Sequence, residues 1–101
     1  MIKAVYEVTD NHYTYLKVSG HAGSAEYGKD LVCASVSSIV FGLMNALDEL
    51  DKSIDIKLEN NLITITNNSG LEVADSYLKL VITQLKTIEV TNGDFIKVER
   101  K

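Results

Sequence analysis

The central stretch of the chain, residues 31–47, reads LVCASVSSIVFGLMNAL and carries no charged residue. Its apolar residues fall on nearly every side of a helical projection, which indicates a helix that is buried on more than one side. The stretch is 17 residues long, includes three serines, and is bracketed by Asp30 and Asp48. A membrane-spanning helix needs about 20 apolar residues. We therefore interpret the stretch as the central helix of a globular domain and expect no membrane association.

Strand patterns and a second helix surround the central helix. β-Branched, aromatic or alternating residues predict five strands, at 2–9, 12–19, 54–59, 62–66 and 95–98. Turn signals separate the strands or precede the last one, at Asp10-Asn11, Asn60-Asn61 and Asn92-Gly93. An apolar stripe from Leu71 to Ile88 has helical spacing. The pattern predicts an α+β fold of order ββαββαβ, a single two-layer domain over residues 1–101 with two helices packed on a mixed sheet. It leaves the strand order open.

Composition and charge indicate the cellular compartment and the kind of partner that the protein binds. The chain has one cysteine, so it cannot form an intramolecular disulfide, which fits a reducing compartment. Its first ten residues, MIKAVYEVTD, lack the features of a signal peptide, and we expect a cytoplasmic protein. The net charge of −4 disfavours direct binding to nucleic acid and favours basic peptides. His12 is expected on a solvated strand edge.

The segment before the central helix, GHAGSAEYGKDLVC at residues 20–33, holds the candidate chemistry. A phosphate-binding loop is one interpretation, because Gly23 and Gly28-Lys29 match the spacing of that motif. The next position must be Ser or Thr to bind Mg²⁺, and it is Asp30 here. Glu26 adds a further negative charge where phosphate would bind. These two carboxylates disfavour a phosphate site.

A plain structural role is the second interpretation of the segment. A lone cysteine among apolar neighbours is most often a small buried hydrophobic residue. A histidine that follows a strand is most often a satisfied polar residue, and glycines in a loop need only form tight turns. The presence of Cys33 and His21 alone is a weak signal for catalysis.

Nucleophilic catalysis is the third interpretation. Asp30 is a natural N-cap for a helix beginning at Leu31, which would place Cys33 in the first turn, where the helix dipole favours a thiolate. Asp30, Cys33 and Ser37 share one helix face. His21 ends the second strand, and the intervening residues are sufficient for its ring to reach the sulfur. The negative charge of Asp30 opposes the thiolate unless that side chain turns toward helix amides or His21. The residues alone leave the three interpretations open.

Two short motifs resemble the signature of a known family. GHAG at residues 20–23 and YGKDLVCASVS at residues 27–37 resemble the signature of the ribosomal-processing cysteine protease family, Prp. That signature runs Gly-His-Ala, a short variable stretch, and then Gly-x-Asp-Ile/Leu-Val-Cys-Ala-small-Val/Ile-Ser. The spacing of the histidine, aspartate, cysteine and serine is the specific part. Length, element order and the absence of other cysteines are compatible with the resemblance.

The resemblance implies a function and a site. Family members are bacterial, cytoplasmic and dimeric, and they remove the N-terminal extension of a large-subunit ribosomal protein after a bulky aromatic residue. It implies that Cys33 is the nucleophile and His21 the general base and acid, with Gly20, Asp30 and Ser37 as supporting residues. The residues between form a substrate loop expected to close after peptide binding: Ala22, Gly23, Ser24, Ala25, Glu26, Tyr27 and Gly28.

Three further expectations complete the sequence-based hypothesis. No metal or cofactor is expected, because two histidines and one cysteine do not form a credible ligand set. An apolar pocket for an aromatic side chain could be lined by Tyr27, Phe41 or Met44. The competing hypothesis is a non-catalytic ribosome-assembly module that binds a basic protein tail without cutting it.

Overall fold

The computed structural model describes residues 1–20 and 29–101, and at residues 29 and 30 it describes the backbone alone. Five strands and two helices occur within these residues, in the order ββαββαβ. They are β1 (Ile2–Thr9), β2 (His12–Ser19), α1 (Lys29–Leu50), β3 (Asp55–Glu59), β4 (Leu62–Thr66), α2 (Glu72–Asn92) and β5 (Ile96–Arg100). The predicted element order is confirmed.

The strands form one mixed sheet of order β3-β4-β2-β1-β5. All neighbouring strands are antiparallel except β1 and β5, which run parallel with Ile2 opposite Ile96. Asp10 and Asn11 join β1 to β2 with φ angles of 52° and 66°. Both angles are left-handed, as a two-residue type I′ hairpin requires, and the predicted turn is confirmed. The α+β class with a mixed sheet is therefore confirmed as well.

One face of the sheet and both helices enclose the core. The inward side chains of the strands are fully buried: Ile2, Leu16, Val18, Ile63, Ile65 and Ile96. Helix α2 covers them with a helical stripe that includes Ala74, Leu78, Val81, Ile82 and Leu85. Helix α1 contributes a stripe of its own, which includes Val32, Val36, Val40, Leu43 and Leu47. This burial explains the apolar periodicity of both helices.

The opposite side of α1 is uncovered in the single chain. Ser35, Ser38, Phe41, Gly42 and Asn45 are exposed there, although the sequence indicates burial on more than one side. A side chain built at Gly42 would meet nothing within 4 Å. Within one chain, therefore, α1 buries one stripe and presents an uncharged second face.

The same helix satisfies the length and composition of a membrane span. Residues Leu31–Leu50 have a mean hydropathy of 1.6, and 33% of the apolar window is buried inside the fold. Its buried stripe packs in the common core with α2 and the sheet. Because a core helix must be apolar on its packed side, this packing accounts for much of its hydropathy.

Candidate active site

Cys33 lies near the start of α1, on the core side of the helix. It is the chain's one cysteine, and only 8% of its surface is exposed. Val32 and Val36 belong to the same buried cluster. Attack on a peptide bond requires contact between the Cys33 Sγ and the scissile carbonyl carbon. Peptide binding must therefore increase the exposure of this sulfur if it is the nucleophile.

Helix α1 begins two residues earlier than the capping rules predict. Its first residue is Lys29, so Asp30 is the second helical residue. The prediction that Asp30 is the N-cap of a helix starting at Leu31 is therefore wrong. Cys33 is the fifth residue, just beyond the first turn, where the dipole of the helix is weaker than at its N-terminus. The Cα–Cβ bonds of a helix tilt toward its N-terminus, so the side chain of Cys33 leans back toward the first turn.

The predicted placement of Asp30 and Ser37 on the same helix as Cys33 is confirmed. Asp30, Cys33 and Ser37 all lie within α1, at positions that share one side of a helix. Ser37 is half-buried, one turn beyond Cys33. The neighbouring hydroxyl of Ser35 is exposed and donates to the carbonyl oxygen of Leu31 at 2.9 Å. The structure thus brings Ser37, and not Ser35, to the side of the helix that carries the sulfur.

Gly20 follows the last residue of β2, at the point where the chain leaves the sheet. Its φ angle is +82°, in the left-handed region that glycine adopts without strain. The substrate loop and the catalytic histidine predicted from the sequence follow it directly. Both His21 and the loop residues Ala22, Gly23, Ser24, Ala25, Glu26, Tyr27 and Gly28 lie outside the described residues. The approach of the His21 imidazole to the Cys33 sulfur therefore remains a prediction.

The described residues contain an apolar groove, but its lining differs from the predicted pocket. The groove has a volume of about 320 Å³ and lies between α1 and α2. Residues that include Ile39, Gly42, Tyr77 and Leu80 line it, whereas Phe41 and Met44 do not. Tyr27, the third residue of the predicted pocket, lies outside the described residues. The groove opens on the uncovered side of α1, away from the core side that carries Cys33.

A polar cluster at the other end of the sheet was not predicted. Asp75, in the first turn of α2, accepts from the backbone N–H of Tyr13 at 2.9 Å and lies 2.7 Å from Nδ1 of His12. His12 is partly solvated as expected, since its side chain is 42% exposed. The expected edge position is wrong, because β2 lies inside the sheet and the ring is bound to the Asp75 carboxylate. No local pattern indicates a contact between positions so far apart in the sequence. Among residues 1–20 and 31–101, no group of three or more metal-ligating side chains is found.

Similarity to known proteins identifies the class of enzyme and the family to which this chain belongs. The cysteine protease Prp family model matches residues 1–97. The chain is a cysteine peptidase and belongs to the Prp family, as the motifs around His21 and Cys33 predicted.

Curated relatives from several bacteria carry the name ribosomal processing cysteine protease Prp. The protein of Bacillus subtilis (strain 168) is 55% identical over 90 residues, with 81% of this chain and 80% of the relative covered. The protein of Staphylococcus aureus (strain Mu50) is 31% identical over 90 residues, with 83% of each chain covered.

Solved structures of the same fold include peptide complexes. The S. aureus Prp protease in complex with a substrate peptide aligns over 100% of both chains, with a TM-score of 0.90 and 29% identity. The same protease with a covalently linked product peptide aligns over 100% of both chains, with a TM-score of 0.86 and 30% identity.

Proposed function

We propose that this protein is an endopeptidase that removes the N-terminal extension of a large-subunit ribosomal protein, with Cys33 as nucleophile and His21 as general base and acid. One observation carries the assignment of the nucleophile. The chain is a cysteine peptidase with a single cysteine, which lies near the start of α1 on the side that packs in the core. The name of the relatives supports the substrate class, and the peptide complexes of the S. aureus protease support a peptide ligand.

The proposed reaction proceeds through an acyl-enzyme. The Cys33 thiolate attacks the scissile carbonyl carbon, and amides of the loop or of the first turn of α1 stabilise the oxyanion. His21 protonates the leaving amine, which breaks the peptide bond and leaves a thioester on Sγ. His21 then takes a proton from water, and the resulting hydroxide hydrolyses the thioester. Neither a metal nor a cofactor takes part in these steps.

The supporting residues have separate proposed roles. Asp30 orients His21 rather than capping the helix, because it lies inside α1. Ser37 donates a hydrogen bond to the substrate or to a loop group, since its half-buried hydroxyl lies one turn beyond the sulfur. Residues 22–28 are the proposed peptide-binding loop.

A homodimer is the proposed assembly. The uncovered face of α1 carries no charge from Leu31 to Leu47, and Leu80 of α2 is 59% exposed beside the groove. A second copy that packs on this face would bury these apolar surfaces. Sedimentation equilibrium at micromolar concentration is expected to give the dimer mass, and Leu80→Glu the monomer mass. Lys79→Glu, an exposed neighbour outside the groove, is the matched control; a monomeric wild type would contradict the proposal.

The cytoplasm is the proposed compartment, because ribosomal proteins are processed where ribosomes are assembled. Binding of the substrate through its protein extension, without direct contact to nucleic acid, fits the net charge of −4.

Mass spectrometry of a synthetic peptide with the ribosomal protein's N-terminal extension tests the function. We expect the wild type to cut the peptide once, and Cys33→Ala or His21→Ala to lower turnover by roughly 10⁴-fold or more. Ser35→Ala is the matched control, since within the described part of the chain this exposed hydroxyl donates only to the carbonyl oxygen of Leu31, inside α1. Binding of the peptide should persist in Cys33→Ala. If the wild type binds the peptide but leaves it uncut, the protein is instead a binding module for the basic tail. Cleavage that survives in Cys33→Ala would show that Cys33 is not the nucleophile.

A further inference from the structure

The last turn of α2 ends in an Asn-Gly pair that is held in helical geometry. Asn92 is the final residue of the helix, and Gly93 follows it with a φ of −61° and a ψ of −16°, inside the helical region. The side-chain nitrogen Nδ2 of Asn92 donates to the carbonyl oxygen of Ile88 at 2.9 Å and to Oγ1 of Thr91 at 3.0 Å. Both acceptors precede Asn92 in the chain, so the two bonds hold its carboxamide back along the helix.

An Asn-Gly pair has a reaction of its own, the loss of ammonia from the asparagine side chain. The backbone nitrogen of the glycine attacks Cγ of the asparagine, and the new C–N bond closes a five-membered succinimide ring. The carboxamide nitrogen takes the proton of the glycine N–H and leaves as ammonia. Water then opens the ring at one of its two carbonyl carbons, which gives aspartate or isoaspartate. Glycine favours the attack because it has no Cβ beside its nitrogen.

The helical backbone of Asn92 prevents this ring closure. The ring requires the Gly93 nitrogen to be nearly eclipsed with Cβ about the Cα–C bond of Asn92, whereas a helical ψ of about −42° turns the two apart. The hydrogen bonds of Nδ2 must also break before Cγ turns toward the nitrogen. The reaction therefore requires the last turn of α2 to open first.

Opening of this turn is coupled to the pairing of β5. The carbonyl oxygen of Asn92 accepts from the Phe95 N–H at 2.9 Å, and the carbonyl oxygen of Phe95 accepts from the Ile2 N–H at 2.8 Å. The Glu89 carboxylate, in the same helical turn, accepts from the Val98 N–H of β5 at 3.3 Å. Hydrogen bonds thus join the last turn of α2 to the parallel β1–β5 pair, so the two regions form one unit for local opening.

We propose that Asn92 is a modification site, which deamidates only when the last turn of α2 and the adjoining end of β5 have opened. The product fits the closed fold poorly. It adds a negative charge at the negative end of the helix dipole, in a last turn without Lys or Arg. Isoaspartate also routes the main chain through Cβ, which displaces the carbonyl group that Phe95 binds. A transient opening thereby becomes permanent, and this chemistry is independent of the proposed peptidase function.

Peptide mapping by mass spectrometry tests the proposal, with isoaspartate distinguished from aspartate by electron-transfer fragmentation. The folded protein and a synthetic peptide of residues 87–97 are incubated at the same mildly alkaline pH. We expect product at Asn92 in both, formed roughly thirtyfold more slowly or less in the folded protein. Equal rates in the protein and the peptide, or no product in the protein after many half-lives of the peptide, would overturn the proposal.

Gly93→Ala is the variant that blocks the chemistry without changing the fold. Gly93 is helical, and a Cβ there would meet only an ordinary contact of 3.5 Å with the Glu89 carbonyl oxygen. The rate at Asn92 is expected to fall roughly tenfold in this variant, because the added Cβ hinders the attacking nitrogen. An unchanged rate would show that ring closure at Asn92 is not the reaction.

A matched pair of variants locates the opening. Ile96 in β5 and Ile63 in β4 are both fully buried, and replacement of either by valine is a mild change that preserves the fold. Ile96→Val loosens β5 where it pairs with β1 and is expected to raise the deamidation rate about threefold or more. Ile63→Val, matched for global stability by urea unfolding, should stay within about twofold of the wild type. Equal acceleration in both variants would show that the reaction proceeds through global unfolding and would refute the local site.

Discussion

Removal of the Asp75 carboxylate is expected to destabilise the fold at the end of the sheet opposite Gly20. One oxygen of Asp75 accepts from the backbone N–H of Tyr13 at 2.9 Å. The other lies 2.7 Å from Nδ1 of His12. An ionised carboxylate only accepts, so Nδ1 is the donor. The two contacts join the start of β2 to the first turn of α2, and Asp75→Ala breaks both.

The magnitude follows from the exposure of each partner. A hydrogen bond to a charged acceptor contributes about 1.5–3 kcal/mol, and Asp75→Ala leaves the Tyr13 N–H without that acceptor. The His12 side chain is 42% exposed, so its contact with the carboxylate contributes no more than about 1 kcal/mol. Together the two losses lower the free energy of unfolding by about 1.5–4 kcal/mol. In a domain of this size, that lowers Tm by at least about 6 °C.

Urea unfolding followed by circular dichroism measures the effect. Glu72→Ala is the matched control, because Glu72 is also in the first turn of α2 and no side-chain hydrogen bond of it occurs within the described part of the chain. The free energy of unfolding of Glu72→Ala should fall by no more than about 1 kcal/mol, which is the contribution of a negative charge at a helix N-terminus. Asp75→Asn keeps an acceptor for Tyr13 and should fall between the two. If Asp75→Ala and Glu72→Ala are equally stable, the two contacts do not stabilise the fold.

Two further predictions concern α1 and the turn that follows it. In the Leu80→Glu variant, which is expected to be monomeric, Gly42→Ala should raise the free energy of unfolding by about 0.5–1 kcal/mol, because a methyl group there meets open space and glycine is a poor helix former; a loss in urea unfolding would instead indicate a contact on this face. The Ser53 backbone N–H, 2.8 Å from an Asp51 carboxylate oxygen, lowers the pKa of that carboxyl below its usual value. The contribution of this hydrogen bond to the stability of the fold is therefore present above about pH 4 and is lost as the pH falls further, through the lowered pKa of Asp51. Asp51→Asn should flatten the acid limb of a stability–pH curve, and an unchanged limb would contradict the role of this bond.

Local patterns predict most of the elements, because the interactions that form them are local. The alternation in residues 2–9 and 12–19 and the left-handed turn at Asp10-Asn11 give the first hairpin with its correct bounds. The last turn is different. Asn92 is the final residue of α2, and Gly93 adopts a helical φ of −61° rather than a left-handed one. There the helix continues further than the turn signal predicts.

The ends of α1 and the strand order depend on interactions that no short pattern contains. Aspartate is favoured at an N-cap but is also stabilised within the first turn, so Asp30 alone does not fix where α1 begins. The charges of Asp48 and Glu49 lie on the exposed side and do not end the helix, which continues to Leu50. The parallel pairing of β1 with β5 joins the two ends of the chain, and neither strand indicates its partner by sequence.

The site was predicted in part for the same reason. A single cysteine and its spacing from Asp30 and Ser37 place three residues on one helix, which is a local property. The space at Gly20 depends on Met1, and the contact of Asp75 depends on His12 and Tyr13. Such contacts form only in the tertiary structure. The sequence motif therefore indicates which positions belong to the site, but not which contacts each of them makes.

The pairing of β1 with β5 gives the domain a high contact order at the edge that supports Gly20. Contacts between distant parts of a sequence form slowly, because closing the long intervening loop opposes them. During synthesis, the N–H of Ile2 has no Phe95 to bind until residue 95 has emerged from the ribosome. A nascent chain that already exposes Cys33 therefore still lacks β5, and β1 gains its second neighbour only after residues 96–100 have been made.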